Sequence, residues 1–313
     1  MFPATDFSKC LFQAALFERR KVNNFMLKNL LGIDPQLEPD GSYRPSKLAL
    51  RLATSSVSNY QASSYEAYQG KRSKIIVVFT EQKNMSMKNG RKFSTGNHPV
   101  EALLPMLHLK NAGFEFEIAT PSGKPVVFEM WAMPSKDADV LGIYNDLKPR
   151  FDQPNSLHHV IDSLDEESSS YAALFIPGGH GAMLGLPEDK NLNTLLRWAH
   201  HHDLFTISLC HGPGAFLSTT LENEEFLYAG YEMAIFPDSV DKKTPWLGYL
   251  PGHMPWELGA RLEKLGAKIV NSKADDTCCV DRKLITGASP DAADKLGNIS
   301  VTTLLEHLTL PHD

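Results

Sequence analysis

The sequence predicts a three-layer α/β core built on a mostly parallel sheet. Three observations point there. Short apolar or β-branched runs recur at 75–79 (IIVVF), 172–176 (AALFI) and 204–209 (LFTISL), each with the length and content of a buried strand. Stretches with apolar residues at helical spacing separate them. Two of the runs end in glycine-rich turns, IPGGH at 176–180 and CHGPGA at 210–215. Such strand-to-helix junctions stand at the carboxyl edge of an open α/β sheet, where ligands bind.

Composition bounds the protein class. The chain has 313 residues, 42% hydrophobic and 22% charged, as expected of an ordinary globular protein with a sizeable core. No apolar run approaches the ~18–20 residues of a membrane span. Asp6, Lys9 and the ERRK at 18–21 interrupt any signal-peptide core. Cys10, Cys210, Cys278 and Cys279 make no disulfide framework and fit a reducing cytoplasm. The formal charge of −6 comes without a basic block, so nothing here argues for binding nucleic acid.

Residues 1–31 read as helical, with Leu11, Ala14, Val22, Phe25 and Met26 at roughly helical spacing. A docking or dimer-contact helix is preferred to a membrane-surface one. Residues 32–73, rich in Pro, Ser, Tyr and Asn, read as an irregular linker or wrapping segment. The expected organisation is therefore an N-terminal helix and linker over 1–70 and an α/β domain over 71–313.

Within that domain, a polar loop over 81–97 follows the first strand. A helix starts at Pro99 and is closed by Gly113, with a kink or early boundary at Pro105. The alternating 114–120 (FEFEIAT) is a second strand. Residues 121–170 depart from simple alternation and are expected as a small inserted lobe or lid, in which Trp131, Met133 and Pro134 line a pocket or pack on the core. Leu192, Leu195, Leu196 and Ala199 mark a helix that ends in His200, His201 and His202. Three adjacent histidines diverge on a helix, so they read as a terminus and not a metal tract. Further expectations are a strand at 231–236, a helix at 252–266 capped by Gly266, a short strand at 268–270, a hairpin around Asp281-Arg282, and a terminal helix from Ser289 or Pro290.

The chemistry-bearing residues cluster at the two turns. Cys210 sits where a buried strand meets a helix N-terminus, a setting in which backbone N–H groups favour a thiolate and lower its pKa. Gly178 and Gly179 offer bare N–H groups to an oxyanion. His180 or His211 supplies or receives a proton, and Asp238 or Asp241 orients a histidine as a triad carboxylate would. Glu101, in the first turn of its helix, is either an acid/base at the same sheet edge or a carboxylate answering the helix dipole; on local sequence alone the second is simpler.

The ordered motifs FSTGNHPVEALLP (93–105), FIPGGHGAMLGLPE (175–188), SLCHGPGAFL (208–217), AIFPDSVDKKTP (234–245), GYLPGH (248–253) and DRKLITGASP (281–290) resemble the PfpI-type superfamily, with its class I glutamine-amidotransferase-like, flavodoxin-like sandwich. Within it the chain resembles the HchA subgroup of heat-shock chaperone, glyoxalase III and deglycase proteins. The match covers roughly residues 70–313. It implies Cys210 as nucleophile, His211 as its partner, Asp241 as triad carboxylate, Glu101 as the acid/base beside the cysteine, and Gly178 and Gly179 as the oxyanion site. It also implies a homodimer and a small 2-oxoaldehyde substrate, with glycated or unfolded proteins as further partners. Zinc-binding members of the subgroup use two histidines and a glutamate. The matching positions here are Lys110, Glu115 and Leu147, so no zinc is expected there, and no other cofactor.

The implied activity is glutathione-independent conversion of methylglyoxal to lactate, a lyase reaction, with deglycase action on aldehyde adducts. A stress holdase chaperone and, less favoured, a cysteine peptidase are the alternatives.

Overall fold

The computed structural model describes residues 32–164 and 170–309; the helix expected over 1–31 lies outside them. The first elements are β1 (Gln36–Leu37), β2 (Tyr43–Arg44), α1 (Lys47–Ala53), β3 (Lys74–Val78), β4 (Met85–Ser86), β5 (Lys92–Phe93), α2 (Pro99–Asn111) and β6 (Glu115–Thr120). There follow α3 (Ala138–Asp152), β7 (Asn155–Ser156), α4 (Leu157–Asp162), β8 (Tyr171–Ile176), α5 (Lys190–His201) and β9 (Phe205–Leu209). The last are β10 (Glu232–Met233), α6 (Asp238–Asp241), α7 (Leu258–Lys264), β11 (Lys268–Ile269), β12 (Cys278–Asp281), β13 (Leu284–Gly287) and α8 (Ala293–Thr309).

The central sheet has the order β12-β13-β9-β8-β3-β6-β7. Only the β12–β13 hairpin is antiparallel. The parallel strands β6-β3-β8-β9-β13 carry the flavodoxin-like order, with helices on both faces. Side chains alternate across the sheet. Ile76, Val78, Leu174 and Ile176 meet Leu192, Leu195 and Leu196 of α5 in one core layer. Ile75, Val77, Phe175 and Ile207 meet Leu103 and Met106 of α2, Val140 of α3 and Leu296 of α8 in the other. Pairing of Ile176 with Ser208 and of Leu209 with Gly287 brings three strand ends level, and the turns after them meet above the sheet.

Several sequence expectations change. The strand expected over 231–236 shrinks to β10, which pairs with β11 in a separate two-stranded sheet. The N–H groups that follow it go elsewhere: Ala234 to Thr286 Oγ1, Ile235 to Asn271 Oδ1 and Phe236 to the Cys210 carbonyl. Helix α2 runs unbroken through Pro105. There α8 approaches so closely that a Cβ at Gly297 would stand 2.9 Å from Pro105 Cα, so packing holds the turn that the imide cannot hydrogen-bond. The helix expected from 252 starts only at Leu258, because Pro255 disfavours an earlier start and the Asp238 carboxylate caps Gly259 N (3.0 Å) and Ala260 N (2.9 Å). After Cys210 the chain forms a 3₁₀ segment, Gly212–Asn223, broken at Leu221 and Glu222.

The 32–73 stretch does wrap the core, and it is more ordered than expected. β1 and β2 join β5 and β4, from the expected polar loop, in a four-stranded sheet. Ser46 caps α1 and ties it to Leu247. The segment beyond α1 crosses to α2 and α8, where Tyr65 Oη meets His108 Nδ1 at 2.6 Å. The 121–164 stretch contributes edge strand β7, and α3 packs Val140, Ile143, Leu147 and Phe151 into the core.

Candidate active site

Cys210 stands at the end of β9 with φ 59, a left-handed conformation that is strained for a residue bearing a side chain. Two main-chain bonds impose it. Cys210 N donates to Gly287 O at 2.8 Å, and the Cys210 carbonyl accepts from Phe236 N at 3.0 Å. The result is a sharp strand-end elbow, of the geometry that nucleophile elbows share, at a cysteine that is 3% exposed.

From Cys210 a chain of contacts runs inward. Its Sγ lies 3.2 Å from His211 Nδ1, and His211 Nε2 lies 2.8 Å from Asp241 Oδ2. The remaining oxygen, Asp241 Oδ1, pairs with His180 Nε2 at 3.0 Å. The two imidazoles lie face to face at 3.9 Å, and Phe236 stacks on His211. The open choice between His180 and His211 thus resolves geometrically: both hold Asp241, and only His211 reaches the sulfur. Between the two aspartates, Asp241 holds the histidines while Asp238 caps α7. With Nε2–H donated to Asp241, His211 Nδ1 has a free lone pair for the thiol proton.

Glu101 enters from the first turn of α2, 1% exposed. Gly178 separates it from the elbow. A Cβ on Gly178 would stand 2.0 Å from Glu101 Oε2 and 2.8 Å from Cys210 Cβ, so only glycine lets carboxyl and thiol face each other. Gly179, at φ 100, has its N–H near enough to lower the pKa of both groups, without a hydrogen bond that satisfies the Glu101 oxygens. Gly178 O accepts His98 N at 3.0 Å, and Gly181 N donates to Gly96 O at 3.0 Å. These bonds lock the turn against the start of α2.

The electrostatics revise one expectation. Cys210 is pushed well above the ordinary thiol range, first by burial and then by Glu101, and the Gly179 N–H offsets this only in part. Glu101 is likewise raised well above the carboxylic range by burial and by Glu129, against the pull of the Cys210 thiol and the Gly179 N–H. The resting pair therefore keeps its protons. Burial opposes the ionised form of Asp241 as well, but His211 and His180 outweigh it and hold the carboxyl well below its usual range. Burial also lowers His180, yet Asp241 more than compensates and its net shift is upward. His211 is lowered by burial and by the His180 charge, so it stays neutral and basic.

Three nearby residues escaped the sequence reading. His98 is pushed down to about 3 by burial and by His180. Glu129 is 1% exposed. Tyr249 rings with Phe93, Trp131 and His180. The available signal was Glu129 itself, one carboxylate inside the apolar run VVFEMWAMP. Trp131 packs, donating to Ser94 O, and Pro134 lines the mouth of the site. The cavity that Pro134 borders measures about 370 Å³; a separate cavity of about 280 Å³ under α1 is bordered by Leu52, His98, Phe236 and Tyr249.

The residues that the resemblance matches to a subgroup zinc site, Lys110 and a position at about Leu147, are engaged otherwise. Lys110 is ion-paired to Asp146 at 3.0 Å, and Leu147 is buried in the core. Among the described residues, His180, His211 and Asp241 bring ligand-type atoms within 4.8 Å of one another. Each imidazole Nε2 there meets a carboxylate oxygen at hydrogen-bonding distance, so the trio is satisfied as it stands.

The fold is a flavodoxin-like sandwich whose cysteine elbow is backed by a histidine–aspartate pair. The protein/nucleic acid deglycase HchA of Escherichia coli O157:H7 (strain EC4115 / EHEC) is 45% identical over 275 residues, covering 87% of this chain and 96% of the relative. Protein/nucleic acid deglycase 1 of E. coli strain K12 matches with the same identity and coverage. The chain belongs to the HchA deglycase family. Among solved structures, glyoxalase III (Orf 19.251) of Candida albicans superposes with a TM-score of 0.58 at 20% identity, covering 75% of this chain and 98% of that one, a likeness of fold. No protein-family model matches. No helix among the described residues is long and apolar enough to cross a membrane.

Proposed function

We propose that the chain is a glyoxalase of the glutathione-independent type, a lyase that converts methylglyoxal to lactate through Cys210, and that it acts by the same chemistry on methylglyoxal and glyoxal adducts of amines and thiols. The observation that carries this reading is the alignment of Cys210 Sγ with His211 Nδ1 at 3.2 Å, with the buried Glu101 carboxyl on the other side of Gly178. The family membership and the names of the relatives support it.

The chemistry follows from the protonation states. His211 takes the thiol proton as sulfur adds to the aldehyde carbon. Glu101, resting as the acid, protonates the aldehyde oxygen, and a hemithioacetal results. Glu101, now a carboxylate beside that carbon, removes its hydrogen and returns the proton to the neighbouring carbon. In the same step the second oxygen takes up a proton, forming an enediol, and the first oxygen gives one up, so a lactoyl thioester results. Water, giving a proton to Glu101, releases lactic acid, and His211 reprotonates the sulfur. The Gly179 N–H faces the charge that develops. The neighbouring cavity of about 280 Å³, bordered by His98, Phe236 and Tyr249, is of a size that suits a three-carbon substrate. With a net charge of −6, attraction to nucleic acid is not part of the proposal. The homodimer implied by the resemblance and the cytoplasmic setting read from the cysteines belong to the same reading, while the holdase alternative rests mainly on residues 1–31.

The test is lactate formation from methylglyoxal without glutathione, beside Cys210→Ala and Glu101→Gln. Turnover by wild type that is lost in both variants is expected. A folded wild type that makes no lactate overturns the glyoxalase reading.

A further inference from the structure

Among the described residues, seven buried side-chain nitrogen or oxygen atoms lack a hydrogen-bond partner, and four of them belong to His98 (Nδ1), Glu101 (Oε1 and Oε2) and Glu129 (Oε2). A buried orphan polar atom is costly, and a hydroxyl-bearing ligand reaching these atoms would relieve that cost, as a bound water would. Glu101 already has its task. Glu129 does not.

Its placement is built, not incidental. Glu129 N donates to Asn97 O at 3.0 Å, and Phe128 bridges to Asn97. The carboxyl is thereby fixed against the 95–98 segment that leads into α2 and Glu101. Thr95 Oγ1 donates to Glu129 Oε1 at 2.6 Å, which leaves Oε2 as the oxygen that carries a proton. Glu101, His180 and Tyr249 are the titratable groups that sense its charge.

We infer that Glu129 is a second catalytic acid, whose Oε2 hydroxyl protonates the oxygen on the second substrate carbon while Glu101 moves the carbon-bound hydrogen. The inference rests on the glyoxalase reading above. Conversion of a hemithioacetal to a lactoyl thioester moves two protons, one from carbon to carbon and one from oxygen to oxygen. Glu129 serves the second. It gives its proton to the ketone oxygen as Glu101 takes the C–H, forming the enediol. It recovers a proton from the first oxygen as the thioester carbonyl forms and Glu101 protonates the second carbon. Both carboxyls finish this step as they began it. Burial holds Glu129 up at about 7, against the pull of His180 and Thr95, so a proton is present on it near neutrality.

The test is the pH profile of lactate formation in wild type, Glu129→Gln and Thr95→Val, with thermal unfolding as the folding control. The acid form is active, so wild-type kcat falls as pH rises through about 7. Glu129→Gln keeps the amide in place of the carboxyl; it loses about 100-fold in kcat and that alkaline limb, while Cys210 still captures the aldehyde. Thr95→Val removes a bond that lowers the acid, so the limb moves to higher pH, which a merely structural role would not produce. Wild-type turnover with Glu129→Gln unchanged in kcat and profile, or Thr95→Val with an unmoved limb, overturns this inference and leaves the glyoxalase reading standing. Absence of lactate from wild type overturns both.

Discussion

His180 lies against His211, ring to ring at 3.9 Å, and both turn their Nε2 atoms to the one carboxylate of Asp241. A single aspartate thus serves a basic imidazole that reaches the thiol and a second imidazole that does not. The second one has an electrostatic task. His180 is shifted toward its charged form, and its charge holds His211 down. On the proposed mechanism activity needs neutral His211, so it is lost as pH falls through the folded-state pKa of that residue. In His180→Gln the depressing charge is gone and His211 rises. The acid limb of the kcat/KM profile moves to higher pH, and the maximum falls about tenfold, the worth of one charge-assisted bond. An unmoved acid limb contradicts this role.

The strain at Cys210 is measurable apart from catalysis. Its φ of 59 suits glycine better than any residue with a Cβ. Cys210→Gly and Cys210→Ala both lose the nucleophile. Denaturant unfolding should nevertheless find the glycine variant more stable than the alanine variant by about 1 kcal/mol. Equal stabilities would mean that the elbow stores no backbone strain.

Gly178→Ala tests the spacing of the thiol and the carboxyl. The added methyl would stand 2.0 Å from Glu101 Oε2 and 2.5 Å from Leu209 O, and the backbone oxygen cannot swing aside. The expected outcome is a loss of about 1–3 kcal/mol in stability from overpacking, together with a loss of activity of about 100-fold as Glu101 is displaced. Retained turnover would show that Glu101 acts without facing Cys210.

Chelation should leave lactate formation unchanged. Lys110 is engaged by Asp146, Leu147 is inside the core, and every proton in the scheme has a protein carrier. Dialysis against a strong chelator followed by assay with and without added zinc checks this. Restoration of activity by zinc after a loss would overturn the metal-free scheme.

How much of this was legible follows from the range of the forces involved. The strands at 75–79 and 204–209 announce themselves by composition, and the elbow by the glycines that flank Cys210, so the sheet and its carboxyl edge could be read locally. Local sequence left Asp238 and Asp241 open, and only the resemblance to a family pointed to Asp241, because what separates them is distant: two N–H groups of α7 for one, two imidazoles for the other. The strand expected at 231–236 failed for a similar reason, since Phe236 N is claimed by the Cys210 carbonyl. The lowered thiol pKa expected from the helix terminus was outweighed by burial and by Glu101, neither of which a linear motif displays.

The raised, nearly inaccessible thiol has a consequence for endurance. Peroxide attacks thiolates, and it attacks those it can reach. Cys210 at rest is neither ionised nor open to solvent. On the proposed mechanism its sulfur becomes reactive only when His211 removes the proton in the presence of an electrophile. On that reading, the burial of one side chain keeps the resting sulfur in the form least prone to sulfenic acid formation.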